Sequence, residues 1–172
     1  MQNATDEEFD PPQIYSRQTC GRPGCVCAMP IGERFILWAL RQWRCELVQW
    51  RDDRTLPPEG SVLLSGFRLA GLLDSLAEFA VLMDVLLFGA RRALKIHAPS
   101  CTCLSEDEAT LIALCGLAQG DLDGRLLASL DAMMVSAAAS VAALRVKLFA
   151  MALADAGLDL LPPGSAGVGR LN

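Results

Sequence analysis

Between Pro58 and Pro99 the chain has no proline. Through 62–96 apolar residues fall on most sides of any helix drawn along it. A helix that is apolar nearly all round has to be buried. This stretch is therefore expected to be one long central helix, with the other elements packed around it. At 1.5 Å per residue it spans roughly 50 Å. Gly66, Gly71 and Gly89 permit close backbone approach or a bend.

Charge complicates the picture at one point. Arg68, Asp74 and Glu78 share one side of such a helix, whereas Asp84 and Arg91 fall on another, a change of face that a sheared or kinked helix, or a buried charge, would explain. Asp84 sits between Met83 and Val85 in an apolar run, and a carboxylate buried there needs a partner. It is a candidate buried functional carboxylate, acting as a perturbed acid or base or as a ligand to a core metal. The plainer reading is an ion pair with Arg91, Arg92 or an arginine of the preceding helix.

That preceding helix is expected over 31–53. Ile36, Leu40, Trp43, Leu47 and Trp50 recur at spacings of four, three, four and three, the stripe of a core-facing helix. Trp38 and Cys45 lie on a flank, so this helix is expected to meet two neighbours. Arg34, Arg41, Arg44 and Arg51 form an arc away from the stripe. The arc reads as a solvated face paired with Glu33, Glu46 and Asp52, with an anion or acidic-partner site as the rival reading.

Downstream, Ser105-Glu106-Asp107-Glu108 has the spacing of a capping box, opening a helix to about Gln119. Cys115 falls on its apolar face and reads as a small core residue. A further helical pattern runs over 122–156, with Ser136 as a dividing point and Gly157 and Pro162-Pro163 to end it. No strand pattern or internal repeat is present. The expected fold is all-α: a single-domain antiparallel helical bundle of about five helices around a long central helix. Residues 1–19 read as an acidic flexible arm, 20–161 as the bundle and 162–172 as a flexible tail.

Composition narrows the function classes. A length of 172 residues fits one domain. A net charge of −5 lacks the basic footprint of nucleic-acid binding, which is not expected. Mean hydropathy is +0.33, which raises the membrane question. A spanning helix needs ~20 mostly apolar residues. The run 62–90 is interrupted by Arg68, Asp74, Glu78 and Asp84, and the uncharged run 132–144 is shorter, so no membrane span is expected. The N-terminal residues 1–8 lack the basic and apolar regions of a secretory signal, so a cytoplasmic, reducing location is expected. Thirteen arginines against two lysines suggest a GC-rich, bacterial genome.

Seven cysteines in a reducing compartment point to metal or redox chemistry more than to disulfides. Three are grouped as Cys20-Gly21-Arg22-Pro23-Gly24-Cys25-Val26-Cys27, where Pro23-Gly24 makes a turn. Two more, with the only histidine, form His97-Ala98-Pro99-Ser100-Cys101-Thr102-Cys103. Neither segment alone has a full ligand set with good spacing. Together, Cys20, Cys25, Cys27, His97, Cys101 and Cys103 supply ligands suited to zinc or an iron–sulfur cluster. The antiparallel return of the long helix is expected to bring 97–103 back to the start of the first helix, beside 20–27.

The first cysteine spacing is similar to the plant-type [2Fe–2S] ferredoxin run, one residue short between Cys25 and Cys27. The second resembles the His-x3-Cys-x2-Cys motif of zinc-binding anti-sigma factors, one residue short between Cys101 and Cys103. Neither spacing is complete, and neither family is assigned. Absence of a Glu-x-x-His pair argues against a ferritin-like di-iron site. Absence of Cys-x2-Cys removes support for thioredoxin-type redox and c-type haem.

The expected function is a small non-enzymatic regulator or adaptor with a protein partner, in which Zn2+ or an iron–sulfur cluster joins the N-terminal cysteine segment to 97–103. The rival readings are an iron–sulfur carrier or thiol redox switch, a metalloenzyme using Asp84 or His97, and a metal-free helical assembly protein that forms a homo-oligomer.

Overall fold

The computed structural model describes residues 26–50 and 60–160. The expected arm, Cys20, Cys25 and the tail 162–172 lie outside the described residues, as do the side chains of Cys27 and Trp50. The described chain is all-helical. A 3-10 turn, Val26–Ala28, leads into α1 (Ile31–Trp50). Then come α2 (Val62–Leu69), a 3-10 turn (Leu73–Ser75), α3 (Leu76–Gly89), α4 (Glu106–Gln119), α5 (Asp123–Met133) and α6 (Ser136–Asp155). Among the described residues the sheet-like pairing recorded is an isolated bridge between Ala90 and Met134.

The single long helix expected over 62–96 is broken, and its end is extended. α2 stops in a Schellman motif. Gly71, at φ +73°, donates its N–H to Arg68 O, and Leu72 N–H reaches back to Phe67 O at 2.8 Å. Phe67 and Leu72, the apolar pair that accompanies this motif, are both buried. The break has a packing purpose. Phe67 and Phe79, twelve residues apart, would lie ~18 Å apart along a straight helix. Their ring centroids are 5.3 Å apart. Phe149 of α6 sits 5.2 Å from Phe79, and Phe35 of α1 sits 5.3 Å from Phe67. The turn thus folds one apolar run back on itself around a shared aromatic core.

Because α3 starts afresh after that turn, its faces are set independently of α2. Leu76, Phe79, Leu82, Met83 and Leu86 turn inward. Asp84, expected to be buried, is exposed. Its apolar neighbours in sequence misled because Leu87 and Phe88 are themselves 46% and 76% exposed. Neither proposed arginine pairs with it. Arg91 donates to the carbonyls of Met134 and Asp131, and Arg92 to Asp107.

The stripe of α1 lies as expected, with Ile36, Leu40 and Trp43 buried and Leu47 packed against the core. α1 contacts both α2 and α4. Trp38, on the flank, lies on Gly66 of α2 so closely that a Cβ there would fall 2.0 Å from the Trp38 ring. Glu46 is buried rather than solvated. It accepts from Ser61 Oγ at 2.5 Å and Leu63 N–H at 3.0 Å, fastening α1 to the capped start of α2.

α3 ends where Ala90 turns extended. Arg91 N–H bonds to Met133 O and Val135 N–H to Gly89 O, so the exits of α3 and α5 brace each other. α6 packs against α3, α4 and α5. Its buried face carries Ala139, Ala142, Val146, Phe149, Ala150 and Leu153. The division at Ser136 and the stop at Gly157 (φ +74°) follow the sequence expectation. Asp121 closes α4 at φ 52°. Leu122 N–H returns to Leu117 O there, as in a second Schellman motif.

By length and composition α6 is apolar enough to cross a membrane, with a mean hydropathy of 1.6 and a third of the window buried. The uncharged run 132–144 ends inside this helix. The helix continues through Arg145 and Lys147, which are paired with Glu78 and Asp123.

Candidate metal centre

Segment 90–105 is extended between α3 and α4, and a chain with no ladder of its own must be held by side chains. The start of α4 does this. The capping box is formed as the sequence predicts: Ser105 Oγ accepts from Glu108 N–H, and Glu108 Oε2 accepts from Ser105 N–H at 2.8 Å. Ser105 Oγ also donates to Lys95 O at 2.5 Å. Asp107 accepts from Lys95 N–H at 2.7 Å and from both terminal nitrogens of Arg92 at 2.8 and 2.6 Å. The Arg92 hydrogen bond lowers the Asp107 pKa more than burial raises it.

Glu108 carries more than a cap. Its side chain is fully buried and takes Arg41 Nε at 2.8 Å, Arg41 Nη2 at 3.0 Å and His97 N–H at 2.9 Å. Burial pushes its pKa up, but Arg41 and the N–H groups of Ser105 and His97 together outweigh that, and the net direction is down. Glu108 is therefore held as a carboxylate.

Arg41 is the other half of the clamp. It is 3% exposed, so the solvated arc expected for it holds for Arg34 and Arg44 but not here. Beyond its bidentate grip on Glu108, Nη1 donates to Cys101 O at 2.5 Å and Nη2 to Cys103 O at 2.6 Å. A planar guanidinium suits this task because its N–H groups form a rigid fork. The backbone of the Cys-x-Cys pair is thus fixed to α1 and α4 at once.

The opposite carbonyl of the same segment meets the N-terminus. Thr102 O, between Cys101 and Cys103, accepts from Val26 N–H at 3.5 Å. Val26 is the residue between Cys25 and Cys27. The two Cys-x-Cys segments therefore touch through their middle residues. The route differs from the one expected. A long antiparallel helix does not deliver 97–103; the broken helix, the extended run after Ala90 and the α4 clamp do.

Within the connector, His97 Nδ1 lies 3.6 Å from Cys101 Sγ, 3.2 Å from Cys103 O and 3.6 Å from Glu108 Oε2. Cys101 is half-buried and Cys103 exposed, and both thiols are free. Among the described residues no three His, Cys, Asp or Glu side chains are grouped to hold a metal ion. Of the expected ligands, His97 and Cys101 are brought together, whereas Cys20, Cys25 and the Cys27 side chain lie outside the described residues. Asp84 belongs to the exposed face of α3.

Cys45 is exposed on α1. Cys115 is a core residue as expected, its thiol pushed up to about 12 by burial beside an apolar void of about 10 Å³. Such a thiol stays protonated and is no ligand.

Sequence reasoning missed Arg41, Asp107 and the second role of Glu108. The capping-box spacing was a signal for Glu108. Nothing local distinguishes Arg41 from Arg34 and Arg44, because its partner is sixty-seven residues away.

No protein-family model, curated protein or solved structure matches the chain.

Proposed function

We propose that the chain is a small metal-binding helical protein, a non-enzymatic regulator or adaptor built as a single-domain bundle. Its metal, zinc or an iron–sulfur cluster, joins the N-terminal cysteine segment to the connector 97–103. The observation that supports this reading most is the backbone contact between Val26 and Thr102, each flanked on both sides by cysteine. Val26 and Thr102 each stand between two cysteines in the sequence, and His97 is adjacent to Cys101.

The ligand chemistry fits. Thiolates and imidazole bind zinc and iron–sulfur clusters. The Arg41 guanidinium, its charge balanced by Glu108, donates to Cys101 O and Cys103 O and so fixes the backbone that carries these two thiols. The metal supplies a cross-link whose binding free energy adds to folding free energy. Arg41 and Glu108 give it a rigid floor, so that the metal state is transmitted to α1 and α4.

The test is metal stoichiometry in single variants. Cys25→Ser and Cys101→Ser are each expected to lose the metal and to open the N-terminal segment to protease. Full metal content in both variants contradicts the reading.

A further inference from the structure

Helix α6 has two faces, and the one turned away from the core is not polar. Val141, Leu144, Leu148 and Met151 recur at spacings of three, four and three, and are 46%, 54%, 41% and 61% exposed. This is the narrow a/d seam of a coiled coil rather than the broader stripe of a core-facing helix. A core stripe already exists on the same helix, so the seam is a second, independent contact surface. Ala137 and Ser140, also exposed, continue it with small side chains.

We propose that the seam of α6 packs antiparallel against the same seam of a second copy of this chain. Three observations select that occupant. The first is register. The spacing three, four, three reads the same from either end, so a two-fold axis at the level of Val146 sets Leu144 against Leu148 of the other copy and Val141 against Met151. An isologous interface requires this self-complementarity.

The second is area. The seam leaves on the order of 350 Å² of apolar surface per copy, within the range of patches that mark interaction sites. Two seams together supply on the order of 700 Å², short of the ~1,200 Å² at the low end of stable specific interfaces. The expected dimer is therefore reversible and micromolar rather than obligate.

The third is charge. The basic residues flanking the seam are both paired within the chain: Arg145 with Glu78, and Lys147 with Asp123 at 2.6 Å. An anionic membrane surface would need those cations free.

The experiment is sedimentation velocity of the full chain from about 1 to 500 µM, a range that spans micromolar dissociation. The wild-type chain is expected to move from monomer to dimer, with or without bound metal. Leu144→Lys and Leu148→Glu lie on an exposed face, so both fold, as checked by circular dichroism. Each alone is expected to weaken association at least tenfold. Mixed, they are expected to recover it, because the antiparallel register sets Leu144→Lys of one chain against Leu148→Glu of the other. A monomer at every concentration overturns the proposal, as does a dimer that neither substitution weakens. Failure of the mixture to recover overturns the antiparallel register. Binding to anionic vesicles that both substitutions abolish, without self-association, assigns the seam to a membrane surface instead.

Discussion

Replacing Glu108 with glutamine keeps the shape of the side chain and removes its charge. In the folded chain that carboxylate accepts four N–H groups: Arg41 Nε and Nη2, and the backbone of His97 and Ser105. The amide nitrogen of glutamine cannot accept, so donors on one side lose their partner. The guanidinium, 3% exposed, is left without a counter-charge. Removing one member of a buried ion pair costs about 3–5 kcal/mol. Glu108→Gln is expected to fall in that range, because the volume is unchanged and no cavity forms. Arg41→Met should cost a similar amount, since Cys101 O and Cys103 O lose their donors along with Glu108. If the two effects were independent, their sum of ~6–10 kcal/mol would approach the whole stability of a domain. They act on one network, so the double variant is expected to recover about 2 kcal/mol relative to the sum. Urea unfolding followed by far-UV circular dichroism measures all three. Hydrogen exchange of 95–105 should rise in each single variant. A loss below about 1 kcal/mol for Glu108→Gln, or additivity in the double variant, refutes the argument that this pair organises the connector.

Acid should act through the same groups. Asp107 and Glu108 both have lowered pKa values, so their stabilisation is fully present above the ordinary carboxylate range and is lost as pH falls through the folded values. Urea midpoints are expected to level off above about pH 6 and to fall below about pH 4.5. A profile rising towards acid contradicts this, and Glu108→Gln should flatten the slope. Asp121→Gly relieves a left-handed residue at φ 52° and is expected to stabilise by about 0.5–1 kcal/mol in the same assay. Gly66→Ala drives a methyl to within 2.0 Å of the Trp38 ring and is expected to cost about 1–3 kcal/mol as α1 and α2 separate. An unchanged melting temperature in that variant would show that the contact yields freely.

Local chemistry was legible where the deciding partners are close in sequence. The stripe of α1, the capping box at Ser105 and Glu108, the division at Ser136 and the end at Gly157 each depend on residues within a turn or two. The break at Gly71 was legible only as a permitted bend or kink, because apolar residues continue through it in helical order. Only the meeting of Phe67, Phe79 and Phe149 reveals why the chain turns there. Asp84 misled for the related reason that an apolar run was read as buried on every side, whereas Leu87 and Phe88 are exposed. At the candidate site, the chemistry-bearing types His97, Cys101 and Cys103 were visible. Their support was not: Arg41 looks like its neighbours in the helix, and its burial follows from Glu108, far away in the chain.

The proposed metal, joining the two Cys-x-Cys segments, is open to direct measurement. The most direct measurement is elemental mass spectrometry of the full chain, purified anaerobically without added metal, alongside its visible spectrum. The expected result is about one zinc per chain with no colour, or iron with acid-labile sulfide and a brown absorbance. A metal-free chain with all seven thiols reactive once unfolded would contradict it.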